Sequence, residues 1–256
     1  AYSQQDRYRN EDLAKAFYND QYKLHIQFPL QDMGGHLIKN APFDVCLSRL
    51  ENTLYDRWDQ IKHNVILNWV DVTNPTQTTG VALFSDHTTS YLQSEELPLG
   101  LTVQYVGKGL WGRNYRIHGP TRIHYALLPH RGNWQQAQIE AQSNAWNEPL
   151  ICRLLDTGCK QTKRSLLEVS DSNMHLSSVT MDNNNLLVRI FNTSLGKQNQ
   201  EIRWHSGAKR VEMVDLRGKV ISPAQFNKRT DSEWTTPLSI PQFGLQTLRV
   251  IPSEAF

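Results

Sequence analysis

Three histidines set close together, His118, His124 and His130, are the residues to weigh first, because imidazoles gathered on one face can hold a transition metal. Gly119-Pro120 separates the first two and disrupts any shared strand face, and His130 falls in a turn beyond the strand. No carboxylate stands beside them at a ligand-like interval. They read as structural or surface histidines, and no metal ligand is assigned. Cys46, Cys152 and Cys159 offer no alternative: the last two are seven apart, which fits no common zinc spacing, and an odd, sparse count suggests reduced thiols rather than a disulfide framework. Asn192-Thr193-Ser194 is the single glycosylation sequon, a number expected by chance.

A second candidate is polar rather than metallic. In "FSDHTTSY" (84–91), Asp86, His87, Thr88, Thr89, Ser90 and Tyr91 place six hydrogen-bonding side chains where an apolar strand ends. Sugars need many oriented partners for their hydroxyls, and such strand ends supply them; the plain alternative is a turn in which Asp86 bonds its own backbone. The loop "GKGLWGRNYRIHGP" (107–120) carries Trp111, Arg113, Tyr115 and Arg116. An aromatic ring can stack on a sugar face and an arginine can clamp a carboxylate, although a loop pinned by Trp111 would look the same. No phosphate-binding loop, dinucleotide fingerprint, nucleophile elbow or H-E-x-x-H occurs, and sequence alone pairs no two of the 25 acidic residues as a glycosidase requires.

The elements that must position these residues are strands. "YKLHIQFPL" alternates, with Leu24, Ile26, Phe28 and Leu30 on one face, while "NVILNWVDV" (64–72) is apolar on both faces like a strand covered on both sides. "GVALFSD", "GLTVQYVG" and "TRIHYALL" follow. One helix is then expected near 133–146: Asn133 caps it, Gln136 reaches back in a capping box, and Trp134, Ala137, Ala141 and Ala145 form a narrow face of mostly small residues. Pro149 marks its end. Short strands resume after about residue 165. The expectation is an all-β chain, a larger sandwich over 1–155 and a small C-terminal one over 156–256.

Composition limits the partners. A hydrophobic content of 39% over 256 residues supports a packed core, and a net charge of +2 without basic runs argues against nucleic acid. No stretch approaches the roughly 20 apolar residues that span a membrane. The start has no apolar signal-peptide region and no initiator Met, so the chain is expected to be a piece of something longer.

"GVALFSD" followed by "YALLPHRGNWQQAQIEAQSNAWNEPL" resembles the C-terminal β region of family 38 glycoside hydrolases, the retaining α-mannosidases. The matching positions are Tyr125, Ala126, Leu127, Pro129, His130, Gly132, Trp134, Asn147, Pro149 and Leu150. "LNWVDVTN", "VRIFNTS" and "LSIPQFGLQTLRV" extend the resemblance, and the loop "GKGLWGRNYRIHGPT" is most similar to bacterial members, mannosylglycerate hydrolases among them. The resemblance implies that the larger sandwich is a galactose-mutarotase-like supersandwich portion, and that an upstream catalytic domain supplies an Asp nucleophile and a zinc held by His and Asp. None of those motifs is present here, so no catalytic or zinc-binding residue carries over and the chain alone is expected to be inactive. It also implies a cytoplasmic location, a mannoside substrate and the catalytic domain as partner, with a homo-oligomer left open. Asp86, His87 and Arg113 are then expected as rim contacts of the sugar site, Tyr91 and Trp111 as its walls. The alternative is a free-standing carbohydrate-binding sandwich.

Overall fold

The computed structural model describes residues 23–31, 35–48, 65–92, 99–108, 114–115, 118–154, 158, 165–171, 173–205, 208–230 and 233–253. Strands dominate, all ladders are antiparallel, and among the described residues one α-helix occurs, Ile139–Asn147. The chain divides into two compact units, Ala1–Ile139 and Glu140–Phe256.

The first unit is a sandwich. One sheet orders the strands Lys23–Phe28, Leu99–Tyr105, Thr89–Leu92 and Val65–Ile66; the other orders Tyr125–Arg131, Thr79–Ser85, Trp69–Thr73, Leu37–Ala41 and Asp44–Ser48. Leu37, Val70, Val72 and Leu83 from the second sheet meet Ile66, Tyr91, Leu99 and Leu101 from the first in a closed core. On its other face the five-stranded sheet carries Trp69, Ala82 and Phe84, which are covered by Trp134 and Ile139. Trp69 is thus buried by a second indole, their ring centroids 5.8 Å apart.

Two strands differ from the simple alternation. The register shifts between Leu24 and His25, where the facing strand carries Val103 as an extra residue. Leu24 is 56% exposed, and His25 Nδ1 lies 3.2 Å from Thr102 Oγ1. The run 64–72 is two strands: Val65–Ile66 pairs with Thr89 and Ser90 in one sheet, while Trp69–Thr73, buried throughout, lies at the centre of the other. Asn40 anchors the crossing, its side-chain oxygen accepting from the backbone N–H of Asn68 and of Trp69 at 3.1 and 3.0 Å.

Asn133 and Gln136 form the expected capping box. The Asn133 side chain accepts from the Gln136 N–H at 2.9 Å, and Gln136 Oε1 accepts from the Asn133 N–H at 3.0 Å. That oxygen occupies the space a Cβ on Gly132 would fill, and Gly132 has φ +77°. The buried face follows the expected one only at its start, where Trp134 is buried and Ala137 packs beside it. The first turn closes at once: Ile139 N–H donates to Trp134 C=O at 2.9 Å and Gln138 N–H to Gln135 C=O at 3.0 Å, with Gln138 at φ 52°. This is the pattern of a left-handed C-terminal cap, in which the two residues bracketing the turn also make an apolar contact. Trp134 and Ile139 do share a cluster. The helix proper restarts at Ile139, so its buried positions are Ile139 and Ser143, whereas Ala145 is exposed.

The second unit is also a sandwich. Its sheets order Leu167–Val169, Gln198–Trp204, Trp234–Ile240 and Asn227–Lys228 against Met174–Asp182, Asn185–Asn192, Leu245–Pro252, Ala208–Val214 and Val220–Pro223. Val188, Ile190, Ile202, Trp204, Leu238 and Leu248 lie in the core between them, and the Trp204 indole N–H is satisfied by Thr236 Oγ1 at 2.9 Å. The sequon residue Asn192 is fully buried here. Its amide donates to the carbonyls of Gly196, Ile240 and Pro241, tying one loop to the end of the strand Trp234–Ile240. Cys46 and Cys152 form no disulfide, and Cys159 lies outside the described residues. No described helix is long and apolar enough to cross a membrane.

Candidate functional site

The strand Thr79–Ser85 is apolar because it lies mid-sheet, and polar residues appear where its ladder with Tyr125–Arg131 runs out. The last pair is Ser85 with Tyr125, so the next residues, Asp86 and His124, face each other, with Asp86 N–H reaching His124 C=O at 3.3 Å. Their side chains also meet. Asp86 Oδ1 lies 2.6 Å from His87 Nδ1 and Oδ2 lies 3.0 Å from His124 Nδ1. The hydrogen bond from His87, with that from His124 behind it, holds the Asp86 carboxyl below its ordinary range, so it is ionised at neutral pH. Ser85 Oγ donates to His87 C=O at 3.0 Å and sits 3.3 Å from Nδ1 of the same ring. His87 and His124 remain open to solvent, their side chains 41% and 71% exposed.

The rest of the polar stretch turns inward. Thr89 and Ser90 are buried, Thr89 bonding the carbonyl of Thr102 at 2.6 Å and Ser90 its hydroxyl at 2.7 Å. Tyr91 is 3% exposed, packed among Leu99, Leu101 and Val70, and offers no face to solvent. Lys39 lies under it: the ammonium is 6.0 Å from the Tyr91 ring centroid and donates to the Val65 carbonyl of the facing sheet. Burial pulls the Lys39 pKa down to about 8, against a smaller opposing effect of the Cys46 thiol. Trp111 and Arg113 lie outside the described residues.

The three histidines do not converge. His118 is exposed, His124 joins Asp86, and His130 is buried on Asp71, its Nε2 2.7 Å from Oδ1. Carboxylates therefore do stand beside two of them, brought there by strand register rather than by sequence interval. The His130 ring reaches Asp71 by passing over Gly80 on the intervening strand, where a Cβ would lie 2.6 Å from two of its ring atoms. Among the described residues no group of three His, Cys, Asp or Glu side chains could hold a metal ion.

The arrangement is thus an exposed, acceptor-rich cluster on a closed sandwich. That fold occurs in a family 38 glycosyl hydrolase. The chain aligns with a protein in glycosyl hydrolase family 38 from Enterococcus faecalis at a TM-score of 0.63 and 18% sequence identity, over 89% of this chain and 26% of that one. It therefore spans about a quarter of that protein's length. No protein-family model and no curated protein matches the sequence. The likeness at this identity is one of fold.

Proposed function

We propose that this chain is the non-catalytic C-terminal β portion of a retaining α-mannosidase of glycoside hydrolase family 38. The observation that carries this reading is the near-complete alignment of both sandwiches with about a quarter of a family 38 protein. The residues "GVALFSD" and "YALLPHRGNW" support it independently, because they resemble the family's β region. In this reading the sandwiches buttress an upstream catalytic domain, Asp86, His87 and Arg113 are rim contacts of the sugar site, and Trp111 is one of its walls. Tyr91 supports that rim from the core. Zinc in the catalytic domain would polarise sugar hydroxyls as the glycosidic bond breaks. The described residues of this chain form no such metal site; in this reading its residues orient the substrate and close the site's edge.

The test is hydrolysis of an aryl α-mannoside by the chain alone and by the natural polypeptide that contains it, each with zinc added and with zinc chelated. Zinc-dependent turnover by the natural polypeptide only is the expected result. Turnover by the chain alone, or none by the natural polypeptide, overturns the reading.

A further inference from the structure

We propose that His87 and His124 form a matched pair of hydrogen-bond acceptors, oriented by Asp86, that takes two hydroxyls of a neutral sugar and disfavours anions. This deepens the sugar-rim reading above and rests on it. An ionised carboxylate can only accept, so the two imidazole Nδ1 atoms on Asp86 must both carry the proton. The Ser85 hydroxyl agrees: its hydrogen goes to His87 C=O, leaving its oxygen to accept from the same Nδ1–H.

Fixing the proton on Nδ1 fixes what the other nitrogen offers. In a neutral imidazole the second nitrogen is a lone-pair acceptor, and neither Nε2 hydrogen-bonds within the described residues. Carboxylates orient metal-bound imidazoles in this way, and the same device here presents two oriented acceptors to solvent. Hydroxyl donors satisfy them. A carboxylate or phosphate finds only lone pairs, with the Asp86 charge behind them. His124 joins the site through the register of two strands 38 residues apart in sequence, so it is absent from any reading of the polar stretch alone.

The experiment is histidine ¹⁵N NMR of the full chain in a metal chelator at mildly alkaline pH. Both rings should show the Nδ1–H tautomer. Methyl α-mannoside should shift both Nε2 resonances, and acetate, an anion with no hydroxyl, should shift neither. H124Q, at an exposed position, should weaken mannoside binding by about tenfold, the worth of one hydrogen bond, and D86N should release the tautomers and weaken it comparably. An Nε2–H tautomer in either ring, no shift with any sugar, or unchanged affinity in D86N overturns the acceptor pair and leaves the mannosidase reading standing. Binding of other glycosides with no preference for mannosides overturns that reading and leaves the acceptor pair.

Discussion

His130 Nε2 lies 2.7 Å from Asp71 Oδ1, although the two residues sit on strands separated by a third. Both side chains are buried, and among the described residues the other Asp71 oxygen has no partner. An edge strand is thereby tied to the centre of its sheet by a buried side-chain hydrogen bond as well as by its ladder.

The glycine between them makes this contact. Gly80→Ala would place a methyl group 2.6 Å from the His130 ring and 2.9 Å from Thr73 Cγ2. It should cost about 1–3 kcal/mol through overpacking, measured by denaturant unfolding.

Asp71→Asn should cost about 1–3 kcal/mol, because it removes the carboxylate that a buried His130 ring nitrogen bonds. Burial alone would lower the His130 pKa, but the hydrogen bond and charge of Asp71 outweigh it and raise the value above 6.5. A raised folded-state pKa means the pair's stabilisation is complete below the unfolded value and fades as pH rises through the folded one. Unfolding free energy should therefore fall above about pH 6.5, and His130→Gln should remove that slope.

Lys39 has the opposite sign. Its folded pKa of about 8 lies below the ordinary 10.5, so the unfolded chain binds more protons between those values and stability should rise with pH across that window. Lys39→Met should abolish the rise and stabilise the protein at neutral pH by ~1–3 kcal/mol, since it removes a desolvated charge. Titration of wild type, Lys39→Met and His130→Gln separates the two effects.

Gln138 occupies a left-handed conformation that glycine adopts without strain. Gln138→Gly should raise stability by ~0.5–1 kcal/mol, a gain visible as a higher thermal midpoint.

Asn192→Ala removes the donor that joins the Gly196, Ile240 and Pro241 carbonyls and should cost about 1–3 kcal/mol in the second sandwich. The buried amide also means that the folded sequon is closed to a glycan, so the natively folded chain should carry no sugar by mass spectrometry.

Much of this was legible in the residues. The apolar strand runs through Val72 and Leu83, and the Asn133–Gln136 capping box, are local patterns, and local patterns survive folding. The helix phase was not legible, because its reset depends on a glutamine in a conformation that sequence assigns to glycine. The bulge opposite Leu24 and His25 has no sequence marker either. The candidate site was half visible: Asp86 and His87 are adjacent in sequence, whereas His124 and the Asp71–His130 pair exist only once Ser85 faces Tyr125 and Gly80 faces His130. Register over long separations sets such contacts, and periodicity within one strand does not encode it.

Pro129 lies near the middle of the outermost strand of the five-stranded sheet, paired with Val81. Having no N–H, it leaves a gap in the row of donors that a newcomer strand would need. The exposed Tyr125 and Leu127 on the same strand would otherwise make this rim adhesive. One ring closure thus works against fibre growth, and replacing Pro129 with valine should make the protein more prone to aggregate without changing its fold.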